Sequence, residues 1–199
     1  MTSGRRERKK LATRLALHEA ALRLVAERGL DGVSVDDVAA RADVSPRTFF
    51  NYFSSKDDAV LGLDPGLPQR QAAEIRARPA TETAVEALRA VTHAQAAEMA
   101  AESDLWPLRV TVIEAHPALV GRLAAAFGES ERVLAAALAD RTGTQVDADL
   151  YPMLLAGVGA AAMRTALHRW FATDFTASLP DLVDEAWALV AAGLPAPPR

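Results

Sequence analysis

Three serines constrain the fold of this 199-residue chain more than any other feature, because Ser34, Ser45 and Ser55 are each placed to start a short helix. Asp37 follows the first serine at the spacing of a capping box. Pro46 follows the second, and proline is tolerated as the first helical residue because an N–H there has no intrahelical partner. The pattern predicts two short helices joined by a tight turn, and a third helix after them. That arrangement is typical of a helix-turn-helix.

The second of these helices, predicted to span residues 46–52, should have one buried and one exposed side. Phe49 and Phe53 are four residues apart, so they lie on one face and should pack in the core. Arg47 and Thr48 lie in the first turn, the part of a recognition helix that meets base edges. Arginine pairs bidentately with guanine, and threonine can hydrogen-bond or touch a thymine methyl. The alternative is a purely structural helix, with its aromatic residues in a small core and its polar face in solvent. We adopt this structural role for Phe49 and Phe53 only.

Two further side chains in this stretch suit contacts with the DNA backbone. Tyr52 and Lys56 can donate to phosphate, and such contacts position a protein on DNA without reading its sequence. The complete set of candidate DNA-binding residues comprises Ser34, Ser45, Pro46, Arg47, Thr48, Phe50, Asn51, Tyr52 and Lys56.

The charge distribution supports DNA binding, although the whole chain carries a net charge of −4. Residues 1–60 hold 11 Lys and Arg against 9 Asp and Glu. Counterion release rewards positive charge close to phosphates, and a distant acidic body does not cancel it. The basic segment 5–10 is either an arm that reaches DNA or a solvated tail, and the sequence favours neither.

The stretch GVSVDDVAARADVSPRTFFNYFSSKDDAV, residues 32–60, resembles the DNA-binding domain of the TetR family of transcriptional regulators. The resemblance covers residues 9–63 and includes the capped helix, the turn, the short aromatic helix and the lysine before an acidic helix start. Asp43 stands where the family usually has glycine. Aspartate tolerates left-handed backbone less well than glycine, so we expect slight strain there. The resemblance implies a transcriptional regulator whose partner is a double-stranded DNA operator.

Composition and periodicity predict an all-α fold. Half of the residues are hydrophobic but only 6% are aromatic, which favours helices built from Ala, Leu and Val. A first helix is predicted over residues 8–28, with Gly29 as its C-cap, and the body should form helices near 81–101, 105–115, 118–141, 147–173 and 179–193. The segment 63–68 holds two prolines and a glycine, so we expect it to break the helix and separate the domains.

The predicted domains are 1–63, a three-helix helix-turn-helix DNA-binding domain, and 64–199, a helical domain. Resemblance to the family implies that the second domain binds an effector and forms a homodimer through its last two helices, as a four-helix bundle. The candidate interface residues are Ala160, Met163, Leu167, Trp170 and Trp187. The two DNA-binding domains of the dimer, about 34–36 Å apart, would then enter successive major grooves. The operator should therefore be a near-palindrome.

The resemblance also implies a small-molecule effector bound among the middle helices, whose binding releases the DNA. Candidate lining residues are Met99, Trp106, Arg109, Phe127, Met153 and Met163. Ordinary core packing is the alternative for each of them singly. The Met, Trp and Leu content indicates a hydrophobic effector. A regulator of the same fold without an effector, controlled by its abundance or by a protein partner, remains the alternative.

Catalysis, cofactors and metals have no support in the sequence. The chain has no cysteine, no phosphate-binding glycine loop and no Gly-x-Ser-x-Gly motif, and its four histidines fall on separate predicted helices without Glu-x-x-His spacing. The capped segment 45–56 argues against a helical-bundle enzyme with an incidental helix-turn-helix. The charged N-terminus and the shortness of the longest apolar run, near 153–163, predict a cytoplasmic protein without a membrane span.

Overall fold

The computed structural model describes residues 3–101 and 103–196, and the regular structure in these ranges is entirely helical. The α-helices are α1 (Ser3–Arg28), α2 (Val35–Arg41), α3 (Pro46–Phe49), α4 (Lys56–Leu61), α5 (Leu67–Ala77), α6 (Ala84–Ala101), α7 (Trp106–Ala115), α8 (Pro117–Thr142), α9 (Leu150–Ala172) and α10 (Leu179–Ala191). A 3₁₀ turn, Ser103–Leu105, precedes α7. The all-α prediction is confirmed.

The helices group into two compact units. The first comprises Met1–Pro65 and Asp104–Ala126, and the second comprises Gly66–Ser103 and Phe127–Arg199. Helix α7 and the start of α8 therefore pack with the N-terminal helices, although they follow α6 in the chain. The predicted domains, 1–63 and 64–199, divide the chain by function, and that division stays a prediction.

The core of the first unit forms where α1 packs against α2, α4 and α7. Fully buried side chains from α1 to α4 meet two from the later segment, Val112 of α7 and Leu119 of α8. Gly29 ends α1 with a φ of 75°, which confirms its predicted role as a C-cap. The core of the first unit is thus completed by residues that are far away in sequence.

The non-helical segment after α4 is shorter than the predicted break over residues 63–68. Gly62 ends α4 in the left-handed conformation, with a φ of 62°. Pro68 lies in the first turn of α5, where proline is compatible with a helix, so residues 67–77 form a helix rather than extending the break. Helix α5 is absent from the prediction because proline breaks a helix interior but is compatible with a helix start, which is where Pro68 lies.

The second unit is built around α10, which packs against both α6 and α9. Trp187 of α10 is buried and donates from Nε1 to the hydroxyl of Thr92 on α6 at 2.8 Å. Gly159 of α9 lies against Leu88, and a Cβ at the glycine would come within 2.8 Å of a leucine methyl. A side chain at that position would require the Leu88 side chain or the α9 backbone to move.

By length and composition alone, α9 could cross a membrane, since its most apolar 18-residue window has a mean hydropathy of 1.3. The uninterrupted apolar run near 153–163 is only part of this helix. Core helices of soluble proteins pass the same test, and α9 packs against α6 and α10. Its apolar character is therefore weak evidence for a membrane span.

Candidate nucleic-acid interface

The helix α2 begins with the predicted capping box. Ser34 Oγ accepts a hydrogen bond from the backbone N–H of Asp37 at 3.1 Å, and the Asp37 carboxylate accepts from the N–H of Ser34 at 2.9 Å. Hydrogen bonds from the Ser34 side chain and backbone hold the pKa of Asp37 below its usual value. The start of the helix-turn-helix is therefore fixed by its own side chains.

The turn between α2 and α3 contains the predicted left-handed aspartate. Asp43 has a φ of 54°, and the N–H of Val44 donates to the carbonyl of Ala39 at 3.0 Å. Aspartate is among the few non-glycine residues that visit this region routinely. The tight turn thus forms without glycine.

Ser45 caps α3 as predicted, accepting from the N–H of Thr48 at 3.1 Å, and its hydroxyl also contacts the Thr48 hydroxyl at 2.9 Å. The predicted length of this helix, residues 46–52, is wrong. Regular α-helix ends at Phe49, because the N–H groups of Asn51 and Tyr52 donate to carbonyls three residues back, as in a 3₁₀ turn. The reading element is one helical turn followed by a tightened turn.

The two faces of this element separate as the sequence indicates. Phe49 and Phe53 are buried, with ring centroids 5.9 Å apart. Arg47 and Asn51 are exposed, and the ring of Phe50 is 59% exposed. The outward face of this element therefore presents both polar donors and an apolar ring to solvent.

Tyr52 and Lys56, the two residues predicted to contact phosphate, both make contacts within the first unit. Tyr52 is half-buried and packs against its core. The Lys56 amino group donates to the carbonyls of Leu30, at 2.6 Å, and Val33, at 2.9 Å. An ammonium group has three donors, so one N–H of Lys56 is left for a phosphate.

The N-terminal turn of α4 is held by an ion pair between the buried Asp58 and the exposed Arg122. Asp58 Oδ1 accepts from Arg122 Nε of α8 at 2.6 Å, and the other carboxylate oxygen accepts from the Ser54 hydroxyl. Burial favours a raised pKa for Asp58, but these hydrogen bonds outweigh it and the pKa is lowered. Ser55 caps the helix by accepting from the N–H of Asp58 at 3.1 Å, as predicted.

The opposite end of α4 is held by two side chains of α1. The ring of His18 donates from Nδ1 to the carbonyl of Ala59 at 2.7 Å, and Arg14 donates to the carbonyl of Gly62 at 2.5 Å. The Ala59 carbonyl lies in the last turn of α4 and also accepts from the N–H of Gly62 at 3.1 Å, whereas the Gly62 carbonyl follows that turn. Nothing in the sequence signalled these contacts, because each joins residues more than 40 positions apart.

The structure distributes the predicted effector-binding residues over both units. Trp106 and Arg109 belong to the first, where the guanidinium lies 4.3 Å from the indole centroid and donates to the carbonyl of Leu61. The remaining four, Met99, Phe127, Met153 and Met163, belong to the second unit. A cavity of about 570 Å³ in the second unit is lined by other, mainly polar residues, namely Arg76, Arg78, Ala80, Glu82, Thr83, Ala84, Asp140, Arg141, Thr142 and Tyr151.

Two of the predicted interface residues need correction. Trp170 is 1% exposed and Trp187 is 2% exposed within the single chain, so both are core residues and present no surface to a second subunit. Ala160, Met163 and Leu167 are half-buried on α9, and their contact with a second copy stays a prediction.

Of the basic segment 5–10, Lys9 and Lys10 are exposed on α1, and the side chains of Arg5 and Arg6 lie outside the part that the structure describes. Ser34, Ser45 and Pro46 are also exposed, but the two serines serve as caps. The exposed cluster at the tip of the first unit therefore consists of Arg47, Phe50 and Asn51.

Comparison with known proteins identifies both parts of the chain. Residues 17–61 match the family model for bacterial regulatory proteins of the tetR family, and residues 82–195 match the model for the MftR C-terminal domain. The HTH-type transcriptional regulator TcmR of Streptomyces glaucescens is 28% identical over 174 residues, which cover 84% of this chain and 77% of TcmR. MftR of Mycobacterium tuberculosis, a candidate mycofactocin biosynthesis regulator, is 27% identical over 194 residues, 94% of this chain and 93% of MftR.

A solved structure shows the same fold. SmeT, the repressor of the Stenotrophomonas maltophilia efflux pump SmeDEF, in its complex with triclosan, superposes with a TM-score of 0.58 at 18% identity. The similarity covers 94% of this chain and 99% of SmeT. The capped helix-turn-helix, the helical C-terminal region and the two family matches agree, and the chain belongs to the TetR family of transcriptional regulators.

Proposed function

We propose that the protein is a homodimeric, cytoplasmic repressor that binds a near-palindromic operator and is released by a small hydrophobic effector. Membership of a family of transcriptional regulators implies a non-enzymatic protein. The observation that supports DNA reading most strongly is the exposed cluster of Arg47, Phe50 and Asn51, opposite the buried Phe49 and Phe53.

Each member of the exposed cluster suits a different base edge in the major groove. Arg47 can pair with both acceptors of guanine, and Asn51 can pair bidentately with adenine. Phe50 offers an apolar surface to a thymine methyl. The Thr48 hydroxyl already contacts Ser45, so we assign its methyl group to the DNA. Tyr52 and the remaining donor of Lys56 would contact phosphate and set the register.

The proposed dimer rests on apolar side chains that the single chain leaves exposed on α9 and α10. Leu150 and Leu154 are 87% and 65% exposed on α9, and Leu189 is 46% exposed on α10. Exposed leucines on two neighbouring helices are what a four-helix bundle between two copies would cover. Two-fold symmetry then requires an inverted repeat in the operator.

The proposed effector is a small hydrophobic molecule, because the fold neighbour SmeT forms a complex with triclosan. Such a ligand weakens operator binding only as far as it prefers the conformation that does not bind DNA. Met99, Phe127, Met153 and Met163 remain the candidate lining residues of the second unit. The 570 Å³ cavity of that unit includes none of these four residues, so the alternative, an effector-independent regulator, stays open.

A thermal-shift assay with triclosan and a panel of other small hydrophobic compounds decides between these two regulators. A ligand at a hundred times its Kd should stabilise the protein by about 2.7 kcal/mol, and the same compound should weaken operator binding. Stabilisation without any change in DNA affinity would contradict release by that compound. If no compound of the panel raises the melting temperature, the effector-independent regulator is supported.

Selection of bound DNA from a random pool tests the function itself, and we expect an inverted repeat with half-sites about one helical turn apart. Arg47→Ala should then cost about 1–3 kcal/mol of binding free energy and relax preference at one base pair of each half-site, since a bidentate guanine contact is lost. Arg23→Ala is the matched control, because Arg23 is also exposed but pairs with Glu19 on α1. Recovery of no sequence, or equal affinities for all three proteins, would overturn the assignment.

A further inference from the structure

The loop between α1 and α2 is held by side chains from two distant helices. The N–H of Leu30 donates to Nε2 of His116 at 3.3 Å, and the carbonyl of Leu30 accepts from Lys56 Nζ at 2.6 Å. Lys56 also donates to the carbonyl of Val33, next to the cap residue Ser34. The backbone N–H and the carbonyl of Leu30 are thus both held by side chains, just before the helix-turn-helix begins.

His116 is itself fixed where α7 ends. Its Nδ1 lies 2.8 Å from the carbonyl of Val112, and a carbonyl can only accept, so the hydrogen is on Nδ1. The other ring nitrogen, Nε2, is therefore the acceptor that faces Leu30. Its backbone N–H donates to the carbonyl of Ile113 at 3.1 Å. The tautomer, the ring and the backbone of this residue are all set by α7.

The position of His116 is fixed by its neighbours in the core of the first unit. Val112 and Leu119, on either side of His116 in the chain, are buried in the cluster that also contains Phe49 and Phe53. The imidazole therefore projects from a packed corner onto a loop 86 residues earlier. A fixed donor–acceptor pair between a rigid corner and a loop determines where that loop, and hence α2, can lie.

We propose that His116 is a positioning residue for DNA binding, which acts with Lys56 to hold Leu30 and so to set the start of α2. The proposal rests on the proposed DNA-reading function. It makes the α7–α8 corner, far from the recognition helix in sequence, part of the DNA-binding apparatus. Neither ring nitrogen of His116 needs to touch DNA for this role.

The test compares full-length wild-type protein with His116→Ala and His116→Gln on the operator obtained by selection. Loss of the acceptor leaves the Leu30 N–H unpaired, so His116→Ala should bind on the order of tenfold more weakly. A glutamine carbonyl can accept the same N–H, and we expect His116→Gln to recover most of the affinity. Hydrogen exchange of the α2 amides should be faster in the alanine variant only.

His93→Ala is the matched control, because His93 lies in the second unit and contacts Asp184 at 3.1 Å. Affinities are measured at a temperature where circular dichroism shows every variant folded, so lower stability alone does not change them. Equal operator affinity of wild type and His116→Ala, or equal loss in the alanine and glutamine variants, would overturn the positioning role. If wild-type protein selects no DNA sequence, the proposed function fails, and the positioning role fails with it.

Discussion

Replacing Phe49 with alanine is expected to destabilise the first unit by about 3–5 kcal/mol, the usual cost of truncating a buried phenylalanine. Its side chain is fully buried, and its ring packs at 5.9 Å from Phe53 and edge-on at 5.4 Å from Phe50. Removing it leaves a cavity beneath the one-turn helix α3, which has few backbone hydrogen bonds of its own. Denaturant unfolding followed by circular dichroism measures the loss, and operator binding should fall with the folded fraction.

The adjacent Phe50 provides the matched control, since it has the same ring on the opposite side. It is 59% exposed, so Phe50→Ala should cost about 1 kcal/mol of stability or less. If Phe50 meets a thymine methyl, its alanine variant should bind the operator more weakly while remaining folded. Similar losses of stability in both variants would show that the buried and exposed faces have been assigned incorrectly.

The local features of the helix-turn-helix could be predicted from the sequence because they depend on residues three or four positions apart. The caps at Ser34, Ser45 and Ser55, the left-handed Asp43 and the buried side of α3 are all of this kind. Their physical causes are complete within one turn of chain. The length of α3 was overestimated because helix periodicity does not distinguish an α-turn from a tightened 3₁₀ turn.

Contacts across long sequence separations could not be predicted in this way. Lys56 reads as a free cation in the sequence, yet its amino group is used by Leu30 and Val33. Trp170 and Trp187 fit a dimer stripe by spacing, but helix packing within one chain buries both. Which face of an apolar helix meets its own chain and which meets a partner depends on tertiary packing, and periodicity gives both faces the same pattern.

A second large effect is expected from pH, through the buried His18. Burial, together with the charges of Arg109 and Arg14, lowers its pKa to about 3, although the hydrogen bond to Ala59 opposes the shift. The unfolded chain takes up a proton near the ordinary value of 6.5, and the folded protein does not. The stability is therefore complete above pH 6.5 and is lost progressively as the pH falls from 6.5 towards 3.

The loss should amount to about 1.4 kcal/mol for each pH unit below 6.5, or about 2 kcal/mol at pH 5. Carboxylates with lowered pKa values, such as Asp58, contribute only at lower pH, because their unfolded-state values are near 4. Denaturant unfolding at pH 8, 7, 6 and 5 measures the slope for wild type and for His18→Gln, which lacks the titrating ring. The variant is expected to be less stable at every pH, but its slope between pH 6 and 5 should be smaller by about 1.4 kcal/mol per unit, with no difference between pH 8 and 7. Parallel curves over the whole range would show that the His18 ring is not held in its neutral form against the end of α4.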